Sequence, residues 1–286
     1  MDNPRRTARA ARSPMSVDHY ENFPVASILC PPRLRPAIAA IYWYARTADD
    51  LADEGNAPPA HRLQQLANYR ADLRAVAAGR RHCGAWPGVF DPLAPMLREH
   101  RLPVALLEDL LSAFEQDVTR QRYADRDDLL DYCRRSANPV GRLLLHLYGV
   151  DDAPSLRRSD AICTALQLIN FWQDLSIDLP RGRLYLPLAD CERLGVTPDA
   201  VMQGQDTPAI RALVADACGW ARGLMQDGAP LVHRLPGRAG WELRLVVQGG
   251  LRILDKIAAM DHAAIRARPR LRWWDGLPML WRAFRM

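Results

Sequence analysis

The chain has 286 residues, 49% of them hydrophobic and 25% charged, enough for one sizeable core and unlike a low-complexity or disordered polymer. No apolar run reaches the roughly 20 residues of a membrane-spanning helix, so the chain is not expected to cross a membrane. The net charge of +5 is uneven: residues 1–17 carry a surplus of three positive charges and residues 266–286 a surplus of five, leaving residues 18–265 at −3, which disfavours a nucleic-acid enzyme with a basic groove and suits basic ends that touch an anionic membrane surface or aid solubility.

In chain order, residues 1–17 have no apolar period that could bury a face and read as a disordered basic arm. The fold is expected to begin near His19. From Arg35 onward the pattern is helical, with breaks expected at 55–59, 84–95, 149–154, 180–187 and 204–208, where glycine and proline cluster. Residues 102–120 place Leu106, Leu107, Leu110, Leu111 and Phe114 at the spacing of a buried helix face. A helix capped by Ser155 should run to Asp178 and stop before Pro180, and another should span 238–266. Strand-like alternation is scarce, and the fold class predicted is all-α, a single helical domain over 18–270 followed by a tail, 271–286. That tail mixes Trp273, Trp274, Trp281 and Phe284 with arginines, as interfacial membrane segments do. Six scattered cysteines without a C-x-x-C pair point away from zinc knuckles and disulfide frameworks. Together with the lack of an apolar signal stretch before Met15, they lead us to expect a cytoplasmic protein.

Two acidic stripes carry the chemistry. In the first, Asp49 and Asp53 lie four apart on one helix face, where their charges repel unless a cation lies between them. Magnesium suits such a pair, because it takes one or two carboxylates and leaves its other positions to water and phosphate oxygens. The second places Asn170, Asp174 and Asp178 at i, i+4 and i+8 among Leu166, Leu168, Ile169 and Phe171. Carboxylates in such apolar surroundings would be costly without metal or partners. Two acidic stripes on separate helices can face across a cavity and hold a diphosphate through magnesium.

With Tyr42 and Arg46 ahead of the first stripe, the stretch Tyr132-Cys-Arg-Arg-Ser-Ala-Asn-Pro-Val-Gly-Arg142, and Tyr185 in Gly-Arg-Leu-Tyr-Leu-Pro, the chain resembles the squalene/phytoene synthase family from about Asp18 to Arg270. The wording of His19-Tyr-Glu-Asn-Phe-Pro-Val-Ala-Ser27, Ser136–Gly141 and Asn170–Asp174 is similar to its bacterial HpnC branch, the hydroxysqualene synthases of hopanoid biosynthesis.

That resemblance implies an isoprenoid-synthase-type bundle with a central cavity, acting on presqualene diphosphate. Asp49, Asp53, Asn170, Asp174 and Asp178 would hold Mg2+ and diphosphate. Arg46 and Arg268 would bind phosphate, Arg266 being the alternative to Arg268, and Tyr42, Tyr132 and Tyr185 would line the reaction centre. It also implies no NADPH and hand-off of substrate from a presqualene diphosphate synthase, while the basic, aromatic tail and a greasy substrate suggest peripheral contact with the inner face of the cytoplasmic membrane. Two departures stand out: Gln173 replaces an arginine common in relatives, and Gly250 stands where some carry a reaction-centre tyrosine. Head-to-head condensation of two prenyl diphosphates to presqualene diphosphate, phytoene or dehydrosqualene is the rival activity, and a non-catalytic assembly or binding relative the rival of another class.

Overall fold

The computed structural model describes residues 30–286; the expected arm and the 19–27 motif lie outside them. Among the described residues there is no strand, only one isolated bridge between Arg122 and Leu184. The helices are α1 (Arg35–Asp53), α2 (Pro59–Ala77), α3 (Pro87–Glu99), α4 (Val104–Thr119), α5 (Arg126–Ser136), α6 (Asn138–Tyr148), α7 (Ala153–Gln173), α8 (Leu175–Asp178), α9 (Leu188–Arg193), α10 (Pro198–Met202), α11 (Pro208–Gly228), α12 (Arg238–Ala259) and α13 (Gly276–Phe284). Prolines open most of them at the first or second position, where the missing N–H has no intrahelical partner to lose. Side chains of Asp125, Asp152 and Thr207 cap α5, α7 and α11.

The sequence reading misplaces several boundaries. Of the break expected at 84–95 only residues 84–86 are non-helical: α3 begins at Pro87 and runs through Pro92 and Pro95. Its Val89, Phe90, Leu93 and Leu97 are buried, and that apolar face against α1 and α2 outweighs the roughly 3 kcal/mol an interior proline costs. The cap of α7 is Asp152, which accepts from Ser155 N at 3.0 Å. The helix expected to reach Asp178 kinks at Asp174 (φ −99°, ψ 10°) and resumes as α8. The helix expected to reach 266 stops at Ala259, and Asp261 and His262 in the left-handed region (φ 52° and 59°) turn the chain back.

Two apolar clusters hold the bundle together. One gathers α1 to α4, the other α5, α7, α11 and α12, and α6 joins them by giving Leu143 and Leu147 to the first and Leu145 to the second. The helix α7 packs against α5, α6, α11 and α12, so apolar residues surround it rather than forming one stripe. Its close approach to α11 requires Gly228, where an added Cβ would fall 2.5 Å from Ile162 Cγ1 and 2.6 Å from the Arg158 carbonyl oxygen. Between α1, α6, α7 and α12 lies an apolar cavity, lined by Ile38, Leu144, Ile162, Leu166, Leu243 and Val246 among others. No described helix is long and apolar enough to cross a membrane.

Replacing Gly228 by alanine should therefore destabilise the protein by about 1–3 kcal/mol through overpacking. Gly223→Ala, on the same helix with open space around it, should be neutral or stabilising by up to about 1 kcal/mol. Urea denaturation of the two variants side by side checks this.

Candidate active site

Helix geometry places the first stripe. Ile38, Tyr42, Arg46, Asp49 and Asp53 recur at three- and four-residue steps along one face of α1. Ile38 lines the apolar cavity, and Asp49 lies about 16 Å further along the axis at 1.5 Å per residue. The same logic governs α7, whose Ile162 and Leu166 line the cavity and are followed at four-residue steps by Asn170, Asp174 and Asp178. Despite the kink, Asp178 N still donates to the Asp174 carbonyl at 2.9 Å, which keeps the stripe in register. Each helix thus runs from an apolar wall to an acidic end.

The acidic ends meet. Arg183, in the loop after α8, pairs with Asp53, and Arg181 approaches the same carboxylate at 3.6 Å. Burial, then the neighbouring Asp174, pushes the Asp178 carboxyl up to about 6, against the pull of Arg183 and Arg181. Burial likewise raises Asp49 to about 6, against Arg46 and with Asp53. Its side chain keeps 46% of its surface open, so the concave acidic wall, not full enclosure, is what withholds hydration. Arg46 is shared among Asp49 (3.6 Å), Asp50 (2.8 Å) and Glu54 (3.0 Å).

A further carboxylate, absent from the sequence reading, completes the wall. Asp117 on α4 accepts from Tyr132 Oη at 2.9 Å, while its Oδ1 is shut off from solvent without a hydrogen-bond partner. Burial raises it to about 7, opposed by the Tyr132 hydrogen bond and reinforced by Asp49. In sequence it is one acid on an amphipathic helix, and only the approach of α4 to α1 and α5 gives it meaning.

Tyr132 and Tyr185 do come together. Phe171 stacks on Tyr185 with ring centroids 3.7 Å apart and planes 8° apart, and Tyr123 lies between Tyr185 (5.9 Å) and Tyr132 (5.5 Å). Backbone bonds from Leu184 N to Gln121 O (2.9 Å) and Leu188 N to Tyr123 O (3.0 Å) bring these loops side by side. Burial pushes the phenols of Tyr123, Tyr132 and Tyr185 upward, so they stay neutral hydrogen-bond donors. Tyr42, half-buried on α1, meets Trp43 edge-on at 5.2 Å.

The structure also separates the two C-terminal arginines. Arg268 grips Asp174 through both Nε and Nη2, whereas Arg266 pairs with Asp206. Gln173 donates from Nε2 to the Pro269 carbonyl at 2.8 Å, tying down the segment that carries Arg268. At Gly250 a Cβ would meet Met225 Cε at 2.9 Å and Ile169 and Leu166 at 3.2 Å, so side chains from α7 and α11 fill the space a tyrosine would need.

The residues at positions 17–275 match the family model for squalene/phytoene synthase. The chain belongs to that family. It is 34% identical to a hydroxysqualene synthase of Rhodopseudomonas palustris over 86% of this chain and 82% of that one, and 31% identical to a phytoene synthase of Thermus thermophilus over 93% and 89%. Its fold matches the crystal structure of squalene synthase HpnC from Alicyclobacillus acidocaldarius with a TM-score of 0.78 and 36% identity, over 85% of this chain and 90% of that one. As a squalene/phytoene synthase it is an enzyme that processes prenyl diphosphates, on the all-α bundle that the helical periodicity predicts.

The donor set fits magnesium. It is all oxygen, with an orphaned Asp117 oxygen and carboxyls raised by burial and by neighbouring acids that a cation would relieve. Among the described residues no group of three or more histidine, cysteine, aspartate or glutamate side chains is placed to hold a metal ion by itself, so an ion here would take its remaining ligands from water and phosphate.

The raised Asp117 carboxyl sets a sign for stability. An unfolded aspartate titrates near ~3.9, so between about pH 4 and 7 the folded chain holds a proton that the unfolded chain has lost, and stability falls as pH rises through that window. Asp117→Asn removes the penalty while keeping an acceptor for Tyr132. In metal-free thermal denaturation its advantage over the wild type should grow from pH 4 to pH 7 and level off above.

Proposed function

We propose that this chain is a hydroxysqualene synthase, converting presqualene diphosphate and water to hydroxysqualene and diphosphate with the help of Mg2+. The likeness to hydroxysqualene synthases along most of both chains carries this reading. It is supported by the filled space at Gly250, where some members of the family carry a tyrosine, and by Gln173, where many carry an arginine. A separate presqualene diphosphate synthase would supply the substrate.

In this mechanism the hydrocarbon arms occupy the apolar cavity and the diphosphate lies at the acidic ends of α1 and α7. Asp49, Asp53, Asn170, Asp174 and Asp178 would hold the ions, and Arg46 and Arg268 would neutralise phosphate charge. When bound, Mg2+ supplies the charge neutralisation that lets diphosphate depart. The carbon–oxygen bond breaks with both electrons leaving on oxygen, and a cyclopropylcarbinyl cation remains. The faces of Phe171, Tyr185 and Tyr132 stabilise positive charge through their quadrupoles. Asp117 holds the Tyr132 hydroxyl in place, and the apolar walls keep bulk water away until the rearranged cation is captured by one water, which loses a proton.

Purified protein with magnesium, given presqualene diphosphate without NADPH, should yield hydroxysqualene by mass spectrometry and leave farnesyl diphosphate unchanged. Presqualene diphosphate formed from farnesyl diphosphate would instead make it a condensing enzyme. Asp174→Asn, which loses a charge that Arg268 and the diphosphate site both use, should lower kcat/KM by about 10²–10³ with its circular dichroism unchanged.

A further inference from the structure

The C-terminal helix α13 is turned inside out relative to an ordinary docked helix. Its inner side is pinned to α12: the buried Asp275 pairs with Arg252 and Lys256 at 2.8 Å each and accepts from Arg272 N at 2.7 Å. Arg282 pairs with Asp255 (2.7 Å), Arg244 donates to the Ala283 carbonyl (3.1 Å), and Met279 lies over Gly249. Although burial works against it, Lys256, the Arg272 N–H and Arg252 bring the Asp275 carboxyl down to about 2, so the clamp holds across physiological pH. Facing outward are Leu277, Leu280, Trp281 and Phe284, at i, i+3, i+4 and i+7, with Leu277 72% and Phe284 69% exposed. Trp273, 83% exposed, and Leu271 and Trp274 extend the stripe. At its other end Phe284 meets Trp241 of α12 at 4.7 Å.

We infer that this stripe is a preformed docking surface for an anionic lipid bilayer. A surface of this kind on a soluble chain marks an interaction site, and charge selects the partner. Residues 266–286 hold a single acid, Asp275, which is buried and paired. Arg272, Arg285 and Arg244 lie over Trp274, Trp281 and Trp241 at 5.0, 3.8 and 5.0 Å, the aromatic and cationic mixture of a membrane interface. A twofold contact between two copies would set these arginine rows against each other, whereas lipid phosphates neutralise them. The surface also adjoins the cavity. Ala239, Leu243 and Val246 of α12 line the apolar space, while Trp241 and Arg244 on the same turns carry the end of the stripe. A long apolar substrate could then pass between bilayer and cavity at that end; this half of the inference rests on the proposed function, and the docking half does not.

Flotation of the full chain with vesicles of phosphatidylcholine alone, or mixed equally with phosphatidylglycerol, tests it without any substrate. The wild type should float with the mixed vesicles and release them at high salt. The triple variant Trp273→Ser, Leu277→Ser, Trp281→Ser should bind at least about tenfold more weakly. That variant should turn over detergent-dispersed substrate like the wild type and vesicle-borne substrate more slowly. Failure of the wild type to bind, undiminished binding by the variant, or a dimer in sedimentation that the variant abolishes would each overturn the docking surface. Binding without turnover would leave the docking surface standing and count against the reaction.

Discussion

Like charge gathered in a poorly hydrated wall is the constraint around which the rest of the molecule is arranged. Asp49 and Asp53 from α1, Asp117 from α4, and Asp174 and Asp178 from the α7–α8 junction share this wall, and burial, reinforced by the neighbouring acids, raises the carboxyls of Asp49, Asp117 and Asp178. Left uncompensated, such a cluster would push its helices apart. Arg183 and Arg181 on Asp53 and Arg268 on Asp174 hold it together in the free chain. Guanidinium groups suit phosphate oxygens as well as carboxylates. A diphosphate arriving with divalent cations would thus exchange partners: metal for the carboxylates, phosphate for the arginines.

The second organising feature is the polarity of α1 and α7, each of which changes along one face from apolar to acidic. A substrate with a hydrocarbon body and a diphosphate head presents the same sequence of surfaces. The aromatic group of Phe171, Tyr123, Tyr132 and Tyr185 lies close to the acidic wall, as the bond from Tyr132 to Asp117 requires. Positive charge left behind by a departing diphosphate would arise beside neutral rings rather than beside water. At the same time Gly250 lets Met225, Ile169 and Leu166 close the apolar side. The C-terminal segment joins the two ends of the molecule, since Gln173 and Asp174 hold residues 268 and 269 and α12 holds α13 beyond them.

Much of this was legible in the sequence because it depends on local geometry. The i, i+4 spacing of Asp49 with Asp53, and of Asn170, Asp174 and Asp178, puts each set on one face of any helix, whatever the helix packs against. Leucines at three- and four-residue steps likewise identify helices, and the stretch around Tyr132 together with Tyr185 identifies the family. The errors came where tertiary contacts override local signals: the prolines of α3 read as a loop, and the helices expected to run on to Asp178 and to 266 kink at Asp174 and stop at Ala259.

The amino-acid sequence by itself therefore determined an all-helical chain, two acidic stripes and the family they belong to, since helical periodicity is written in neighbouring residues. Only the tertiary structure decided that Asp117 joins the stripes, that Arg183 reaches Asp53 across 130 residues, that Arg268 rather than Arg266 meets Asp174, and that Tyr123 and Phe171 complete the aromatic wall. Each of these is a meeting of side chains distant in sequence. Their chemistry comes from the lost hydration and shared charge that packing creates, which no spacing along the chain encodes.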